Sequence, residues 1–259
     1  MRDEFVHKGY TVVRNFLTPD QVAALNKPLR QFHSTWLAEH ADVYARGAVN
    51  SAYITSTRFR QNPARQELFT FLASHRFMVE VEKVVGDSAC FMNTQLFFDP
   101  HNTAQNNYWH RDSQYHLNLR EQQESLRGPQ VVHFRIPLVD ERGIELVPGS
   151  HKRWDTAEEL DVRLERNHRQ RHDSLSSGAA IALKAGDLCV FSAAMIHRGL
   201  YGLNRFALDI LMCDPAPELL QFVDNDCLPT QQELTALEHP AAFLRTLTQL
   251  NACGGASLP

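Results

Sequence analysis

Residues 106–112 of the 259-residue chain read NNYWHRD and place His110 two positions before Asp112. In an extended strand, side chains at positions i and i+2 leave the same face, so both groups could point to one spot. A second imidazole could come from His197, in the segment AAMIHRG at residues 193–199. Two histidines and one carboxylate form the facial triad that holds non-haem iron(II) with open coordination positions. The chain has 13 histidines, so the His-x-Asp triplet alone does not establish a metal site.

The elements that would position these residues change in character along the chain. Up to residue 89 we predict a strand at Tyr10–Val13 and helices at residues 2–9, 18–36, 62–72 and 77–85. From residue 90 onward we predict strands at residues 90–98, 131–139, 144–147, 180–183, 188–191 and 206–212. Helical composition returns at residues 156–172 and in two short helices within 230–250, before a loose tail at 252–259. Helices followed by antiparallel strands predict an α+β fold in which helices brace a barrel or sandwich.

Length and composition limit the class of protein. The chain is near the upper size for one hydrophobic core, and its sequence contains no repeat or linker. We therefore expect a single domain over residues 1–259, with a helical part at 1–89, a barrel core at 90–215 and C-terminal helices at 216–259. The net charge of −4 offers no basic excess for binding nucleic acid.

Membrane insertion and secretion are also not expected. The most apolar stretch, residues 178–196, is interrupted by Lys184 and Asp187 and is unsuited to a membrane span. Charges interrupt the first ten residues, where a signal peptide would need an apolar core. Five cysteines without a Cys-x-x-Cys pair fit a reducing compartment. The sequence thus predicts a cytoplasmic location.

Three segments occur in a specific order: YWHRD at 108–112, VPGSHK at 147–152, and AGDLCVFSAAMIHRG at 185–199, followed by Arg205. The opening segment, FVHKGYTVVRNFLTPDQV, precedes them. Together they resemble the phytanoyl-CoA dioxygenase family of Fe(II)- and 2-oxoglutarate-dependent oxygenases. The resemblance extends over roughly the first four fifths of the chain.

The resemblance implies a fold and a site. It implies a double-stranded β-helix, which is a jelly-roll barrel of the cupin type, with iron at one mouth. It implies that His110, Asp112 and His197 are the iron ligands and that Arg205 binds the distal carboxylate of 2-oxoglutarate. The chemistry of Arg205 agrees, because a planar guanidinium can make a bidentate pair with a carboxylate.

The family's reaction follows from the open positions on the metal. Three protein ligands leave three positions on an octahedral ion, two for 2-oxoglutarate and one for O₂. The resemblance implies oxidation of an unactivated C–H bond, with release of succinate and CO₂. Related halogenases have a small residue in place of the carboxylate, so Asp112 favours oxygenation. We expect hydroxylation of a small polar metabolite. The sequence leaves open the substrate, the choice among hydroxylation, desaturation and ring formation, and the oligomeric state.

Other polar residues could contact cosubstrate or substrate. Asn93 and Gln95 alternate to one face of a predicted strand and could touch either molecule or serve only the structure. Arg135 could face the substrate and favour an anionic group. His133 and His116 are further candidates for substrate contact, with structural roles equally open.

The segment between His197 and Arg205 contains Gly199 and Gly202, which allow a tight turn. We therefore expect His197 and Arg205 to be neighbours on paired antiparallel strands.

Three further histidines and a tryptophan have simpler interpretations. His168 and His172, four apart on a predicted helix, could bind a second metal, but they lie among arginines that include Arg163. A solvated basic face is the favoured interpretation. His151 is expected to be a hydrogen-bonding turn residue, and Trp109 to point away from the metal into the core.

Two other functions are compatible with these residues. One is a cupin-like metalloenzyme that does not use 2-oxoglutarate, and the other is a non-catalytic barrel that binds a ligand. Loss of 2-oxoglutarate binding on replacing Arg205 would distinguish the oxygenase from the first, and release of succinate from the second.

Overall fold

A computed structural model describes residues 1–59 and 63–254. The α-helices are α1 (Arg2–Lys8), α2 (Pro19–Glu39), α3 (Ala41–Ala45), α4 (Pro63–Leu72), α5 (His75–Val84), α6 (Leu119–Ser125), α7 (Ala157–Arg163), α8 (Pro217–Leu220), α9 (Gln231–Leu234) and α10 (Ala241–Gly254). The strands are β1 (Tyr10–Val13), β2 (Asn50–Ala52), β3 (Cys90–Phe98), β4 (Val131–Pro137), β5 (Glu141–Leu146), β6 (Ala179–Leu183), β7 (Leu188–Ser192), β8 (His197–Gly199) and β9 (Phe206–Cys213). Short 3₁₀ turns occur at Thr57–Phe59, Asp112–Tyr115, Ser150–Lys152 and Asn225–Cys227.

Local signals set the ends of the first two helices. The side-chain oxygen of Thr18 accepts a hydrogen bond from the Gln21 backbone N–H, and the Gln21 side chain accepts one from the Thr18 N–H. This reciprocal cap, with Pro19 in the first turn, starts α2. Helix α1 stops at Gly9, whose φ of 85° lies in the left-handed region that glycine adopts without strain.

Two antiparallel sheets form the centre of the molecule. The larger has six strands in the order β1-β7-β4-β9-β3-β2, and the smaller has three in the order β6-β5-β8. Ile144 and Leu146 of the smaller sheet pack against Cys189 and Phe191 of the larger one. Two facing sheets of this kind make a double-sheet jelly roll, and within the described residues they do not close into a barrel. The predicted α+β jelly roll is confirmed.

Side chains on the larger sheet alternate between a helical side and a cavity side. On β4, Val132 and Phe134 belong to the hydrophobic core, whereas His133 and Arg135 line the cavity between the sheets. Helices α2, α4, α5 and α10 cover the core side, and their buried residues there include Leu29, Phe32, Phe69, Phe77, Val81 and Phe243. The apolar face of the sheet therefore packs on helices, which leaves the opposite face free to carry polar groups.

The predicted elements differ from the structure in length more than in type. All six predicted strands after residue 90 are present, but the three-residue strands β2 and β8 were missed. The helix predicted over residues 156–172 is only α7, and turns follow it. The tail predicted from residue 252 was wrong for its first part, because α10 continues to Gly254, and its remainder lies outside the described residues, as does Asn62.

The single-domain organisation stays a prediction. Strand β1 pairs with β7 and β2 pairs with β3, so strands from the predicted helical part join the sheet of the predicted barrel core. Within the described part of the chain, no helix combines the length and apolar character needed to cross a bilayer.

Candidate metal centre

The His-x-Asp segment lies beside β8 at the edge of the smaller sheet. His110 and His197 exchange backbone hydrogen bonds of 3.0 and 2.9 Å, which form an isolated bridge. The predicted extended backbone continues through Arg111, whose φ and ψ are −112° and 143°, and it ends where Asp112 begins a 3₁₀ turn. The bridge alone places the two histidine rings side by side, with centroids 4.2 Å apart.

His110, Asp112 and His197 form a cluster that could hold a metal ion, with ligand atoms all within 4.8 Å of one another. Oδ1 of Asp112 lies 3.5 Å from Nε2 of His110 and 3.5 Å from Nε2 of His197. Metal–ligand bonds of roughly 2.1 Å place adjacent ligands of an octahedral ion about 3 Å apart, so the set closes on a metal with small movements.

Backbone carbonyls orient both rings. Nδ1 of His110 lies 3.2 Å from the Tyr108 carbonyl, and Nδ1 of His197 lies 3.0 Å from the Met195 carbonyl. When Nδ1–H donates to a carbonyl, the Nε2 lone pair is left for a metal. Burial lowers the pKa of His110, and it lowers the pKa of His197 to about 3. Both rings are therefore neutral near pH 7, which is the state that binds metal.

The residue between the ligands anchors the segment. Arg111 is fully buried, and its guanidinium donates to the Ser150 carbonyl at 2.9 Å and also to the carbonyl of Ala194. It also donates from Nη2 and Nε to Oδ1 of Asp155, at 2.8 and 2.9 Å. The VPGSHK segment is thus tied to the ligand segment. No local sequence pattern indicates this anchor, because the partners of Arg111 are 39 to 83 positions away.

Asp155 also binds a second buried arginine. Nε of Arg163 donates to Oδ2 of Asp155 at 2.6 Å, and both side chains have no exposed surface. The prediction that Arg163 belongs to a solvated basic face was therefore wrong. The helical pairing of His168 and His172 was wrong as well, because α7 ends before them and His168 has a φ of 63°.

A cavity of about 1450 Å³ opens between the sheets and contains the metal cluster on its wall. Residues of the larger sheet line it, as do residues of α6 and of the segment that follows α8. Such a volume exceeds the usual 300–1,000 Å³ of a ligand pocket, so it could hold two small molecules.

Arg205 extends into this cavity from the residue before β9. It is 4% exposed, and its guanidinium carbon lies 5.1 Å from the Phe97 ring centroid and 5.5 Å from that of Tyr201. Among the described residues, no carboxylate pairs with the guanidinium, and its Nε is buried without a hydrogen-bond partner. Burial lowers the pKa of Arg205 to about 10, so it stays charged near pH 7. A buried, unpaired guanidinium in a cavity is suited to an anionic ligand.

The route from His197 to Arg205 differs from the prediction. β8 pairs with β5 in the smaller sheet, whereas β9 pairs with β3 and β4 in the larger one. The expected neighbouring strands were therefore wrong. The carboxylate of Asp99 accepts hydrogen bonds from the backbone N–H groups of Gly202 (2.7 Å) and Arg205 (3.1 Å). These bonds hold the segment that crosses between the sheets. His197 and Arg205 therefore line the same cavity from different sheets.

Gly199 leaves room for the Arg205 side chain. A Cβ atom at Gly199 would lie 2.4 Å from Nη2 of Arg205. We expect Gly199→Ala to displace the guanidinium. If Arg205 binds the distal carboxylate of 2-oxoglutarate, as the family resemblance implies, the affinity for 2-oxoglutarate should fall roughly tenfold, because a shifted fork loses part of its charge-assisted bonding. Isothermal titration calorimetry checks the affinity, and thermal unfolding should change by less than about 3 °C. A Gly128→Ala control, where the nearest atom would be 3.5 Å away, should bind normally.

Arg135 lines the cavity but does not offer a free charge. Its Nη2 lies 2.9 and 3.0 Å from the two carboxylate oxygens of Glu141, and both side chains are buried. The expected preference for an anionic substrate group therefore loses its physical basis at Arg135, because Glu141 balances the charge.

His133 connects two carboxylates on the cavity wall. Its Nε2 lies 2.7 Å from Oδ2 of Asp112, and its Nδ1 lies 2.7 Å from Oδ2 of Asp209. Burial works to lower the pKa of His133, but Asp209 and Asp112 raise it to about 10. In turn, burial works to raise the pKa of Asp112, but His133 and the two other histidines lower it below its usual range. Sequence reasoning identified His133 but missed Asp209.

The remaining predicted residues occupy varied places. Asn93 and Gln95 line the cavity from β3, and His116 lines it where its ring lies 4.7 Å from that of Phe222. Trp109 is fully buried in a core cluster away from the cavity lining, as expected. His151 lies in the predicted turn, a 3₁₀ turn, and is buried. The hydrogen-bonding role expected of it was wrong, because neither ring nitrogen has a hydrogen-bond partner among the described residues.

The fold is similar to that of several solved oxygenases. EctD from S. alaskensis, solved with 2-oxoglutarate and 5-hydroxyectoine, is 18% identical, with 82% of this chain and 74% of that chain aligned at a TM-score of 0.58. AviO1 from Streptomyces viridochromogenes Tue57 is 21% identical over 83% and 93%, with a TM-score of 0.55. SnoK, a non-heme alpha ketoglutarate dependent carbocyclase from nogalamycin biosynthesis, is 14% identical over 82% of each chain, with a TM-score of 0.52.

The sequence comparisons give a family but no individual relative. No curated protein matches the chain. The family model described as phytanoyl-CoA dioxygenase (PhyH) matches residues 5–201. That range includes His110, Asp112 and His197. The chain therefore belongs to the phytanoyl-CoA dioxygenase family.

Proposed function

We propose that this iron(II)- and 2-oxoglutarate-dependent oxygenase hydroxylates an unactivated C–H bond of a small polar metabolite, with release of succinate and CO₂. The observation that carries the proposal is one cavity lined by His110, Asp112 and His197 and also by the unpaired guanidinium of Arg205. A metal cluster and an anion-binding group in one cavity suit a cosubstrate that has a carboxylate at each end.

The roles of this chain's residues follow from their contacts. His110, Asp112 and His197 would hold iron(II), which supplies the reaction of O₂ with 2-oxoglutarate when both are bound. Arg205 would bind the distal carboxylate of 2-oxoglutarate, and Phe97 and Tyr201 shield that pairing from water. Asn93 and Gln95, on the same wall, would donate hydrogen bonds to cosubstrate or substrate.

The outer part of the cavity supports a polar substrate. Its lining includes the acidic residues Glu121, Glu218 and Asp224 and also Glu124, whose carboxylate is paired with Arg120 at 2.9 Å. Arg135 and Arg205 are the only arginines or lysines in the described lining, and Arg135 is paired with Glu141. His116 and Phe222 add aromatic surface there. Neutral or positively charged polar groups fit this lining better than anionic ones.

The test begins with the wild-type protein. Anaerobic addition of iron(II) and then 2-oxoglutarate should produce a visible metal-to-ligand charge-transfer band, which iron(II) with succinate should not produce. A screen of small metabolites, read out as succinate formation, would then identify the substrate, with amines expected to score above carboxylates. Absence of the band in wild-type protein would reject the proposal.

Replacement of Arg205 separates 2-oxoglutarate use from a cupin-like reaction without it. We expect Arg205→Ala to weaken 2-oxoglutarate binding by at least roughly tenfold to a hundredfold, because a charge-assisted pair contributes about 1.5–3 kcal/mol. Iron binding should stay close to wild type, since Arg205 is not in the metal cluster. Titration of metal-free protein with iron(II) measures the first affinity, and calorimetric titration of metal-loaded protein with 2-oxoglutarate measures the second. Arg46→Ala, at a residue whose side chain is 69% exposed, is the control. Absence of 2-oxoglutarate binding in wild type would favour the cupin-like alternative, whereas unchanged affinity in Arg205→Ala would show that another group binds the distal carboxylate.

Two other expectations stay predictions. A non-catalytic ligand-binding barrel would bind 2-oxoglutarate without producing succinate, so the metabolite screen tests it. The cytoplasmic location is also a prediction, which fractionation of cells that express the protein would check.

A further inference from the structure

The strongest unexplained feature of the cavity is the chain of contacts Asp209–His133–Asp112. His133 is 4% exposed, and each of its ring nitrogens lies 2.7 Å from a carboxylate oxygen. Its ring is stacked on Phe191, with centroids 4.5 Å apart and planes 5° apart. The imidazole is therefore held on three sides, by two carboxylates and one aromatic face.

The two carboxylate oxygens of Asp112 make different contacts. Oδ2 lies 2.7 Å from Nε2 of His133, at hydrogen-bond distance, while Oδ1 is the oxygen that lies 3.5 Å from Nε2 of both His110 and His197. Only Oδ1 is thus directed to the metal position. We propose that His133 is a positioning residue that holds Asp112 as a one-oxygen ligand, an inference that rests on the proposed function.

This constraint matters because of the number of coordination positions. One oxygen from Asp112 and one nitrogen from each of His110 and His197 leave three positions on an octahedral ion. A carboxylate that bound through both oxygens would leave two. Two open positions hold 2-oxoglutarate but leave none for O₂. Three open positions hold both. His133 thereby keeps the third position open.

Asp209 fixes His133 from the other side. It lies on β9 directly across from Arg135 of β4, and its Oδ2 lies 2.7 Å from Nδ1 of His133. Arg135 is paired with Glu141, so it does not compete for Asp209. The side chain of Asp209 is 1% exposed, and Oδ1 has no hydrogen-bond partner among the described residues. A buried carboxylate bound mainly through one imidazole gives that imidazole a fixed orientation.

The first test removes the hydrogen bond and keeps the ring. His133→Phe retains an aromatic side chain that can stack on Phe191 but cannot donate to Asp112. Mutation of a residue that hydrogen-bonds to a metal ligand typically lowers metal affinity or activity by about 10–100-fold. We therefore expect metal-loaded His133→Phe to bind 2-oxoglutarate at least roughly tenfold more weakly and to show a shifted or weakened charge-transfer band. A crystal structure of the manganese(II)-loaded variant should show both Asp112 oxygens on the metal, against one in wild type.

The control and a second variant separate positioning from packing. His33→Phe makes the same chemical change at a histidine that lies 4.4 Å from the Phe98 ring on the helical side of the sheet, and it should bind metal and 2-oxoglutarate normally. Asp209→Asn keeps an oxygen that can contact His133 but loses the negative charge, so its 2-oxoglutarate affinity should fall between those of wild type and Asp209→Leu. Asp209→Leu releases His133 and should reproduce the His133→Phe band. It also serves as the test if His133→Phe does not fold.

The outcomes distinguish this inference from the proposed function. If wild type shows no charge-transfer band, the proposed function fails. If wild type shows the band and both His133→Phe and Asp209→Leu bind metal and 2-oxoglutarate within threefold of wild type, the positioning role is overturned. One Asp112 oxygen on manganese(II) in the variants would overturn it equally.

Discussion

Asp112→Ala should leave a folded protein that no longer forms the charge-transfer band with iron(II) and 2-oxoglutarate. We expect metal affinity to fall by more than roughly 100-fold, because even the loss of a group that only hydrogen-bonds to a metal ligand lowers metal affinity by about 10–100-fold. Anaerobic titration with iron(II) in chloride-free buffer measures the loss. Chloride is left out because a halide could occupy the position that the carboxylate vacates.

Two controls make the Asp112 result interpretable. Asp87→Ala removes an exposed carboxylate from a turn and should titrate like wild type. Circular dichroism should show the same secondary structure for both variants. A band of wild-type intensity in Asp112→Ala would mean that the metal lies elsewhere in the cavity.

Asp155→Ala should cause the largest loss of stability. The carboxylate is the shared acceptor of Arg111 and Arg163, and none of the three side chains is exposed. Its removal leaves two buried guanidiniums without their counter-charge, which costs about 3–5 kcal/mol of unfolding free energy. For a chain of this size, the melting temperature should fall by on the order of 10 °C. Urea unfolding monitored by circular dichroism checks the free energy.

The same substitution should also weaken the metal site, because Arg111 lies between His110 and Asp112. Asp155→Asn keeps an acceptor oxygen and should cost less than Asp155→Ala. The exposed Asp87→Ala is again the control, with an expected change within about 0.5 kcal/mol. Equal stability of Asp155→Ala and wild type would show that Arg111 and Arg163 find other partners.

The predicted parts of the fold and site depend on short-range patterns. Short apolar runs separated by turns marked β4 and β9. The two-residue spacing of His110 and Asp112, together with His197 in family order, indicated the ligand cluster before the structure placed them together. The family motifs also indicated Arg205.

The missed parts depend on contacts between distant segments. Asp155 pairs with Arg111 over 44 positions, and Asp209 meets His133 over 76 positions, so neither pair leaves a local pattern. Strand β8 has three residues, too few for alternation to be recognised. The crossing from β8 to β9 depends on Asp99, about 100 positions upstream, and the glycines alone suggested a simple hairpin.

The two ends of the cavity are formed by different kinds of secondary structure. The metal end is made of residues on or beside sheet strands, whereas the outer end is made of α6 and the segment after α8. Substitution of the exposed residues Glu121, Glu124 and Phe222 changes the shape and charge that a substrate meets. Gln122 of α6 is different, because it is buried and accepts hydrogen bonds from Arg163, which shares Asp155 with Arg111. Directed evolution of substrate choice should therefore vary the exposed positions within 117–126 and 218–225 and leave Gln122 unchanged.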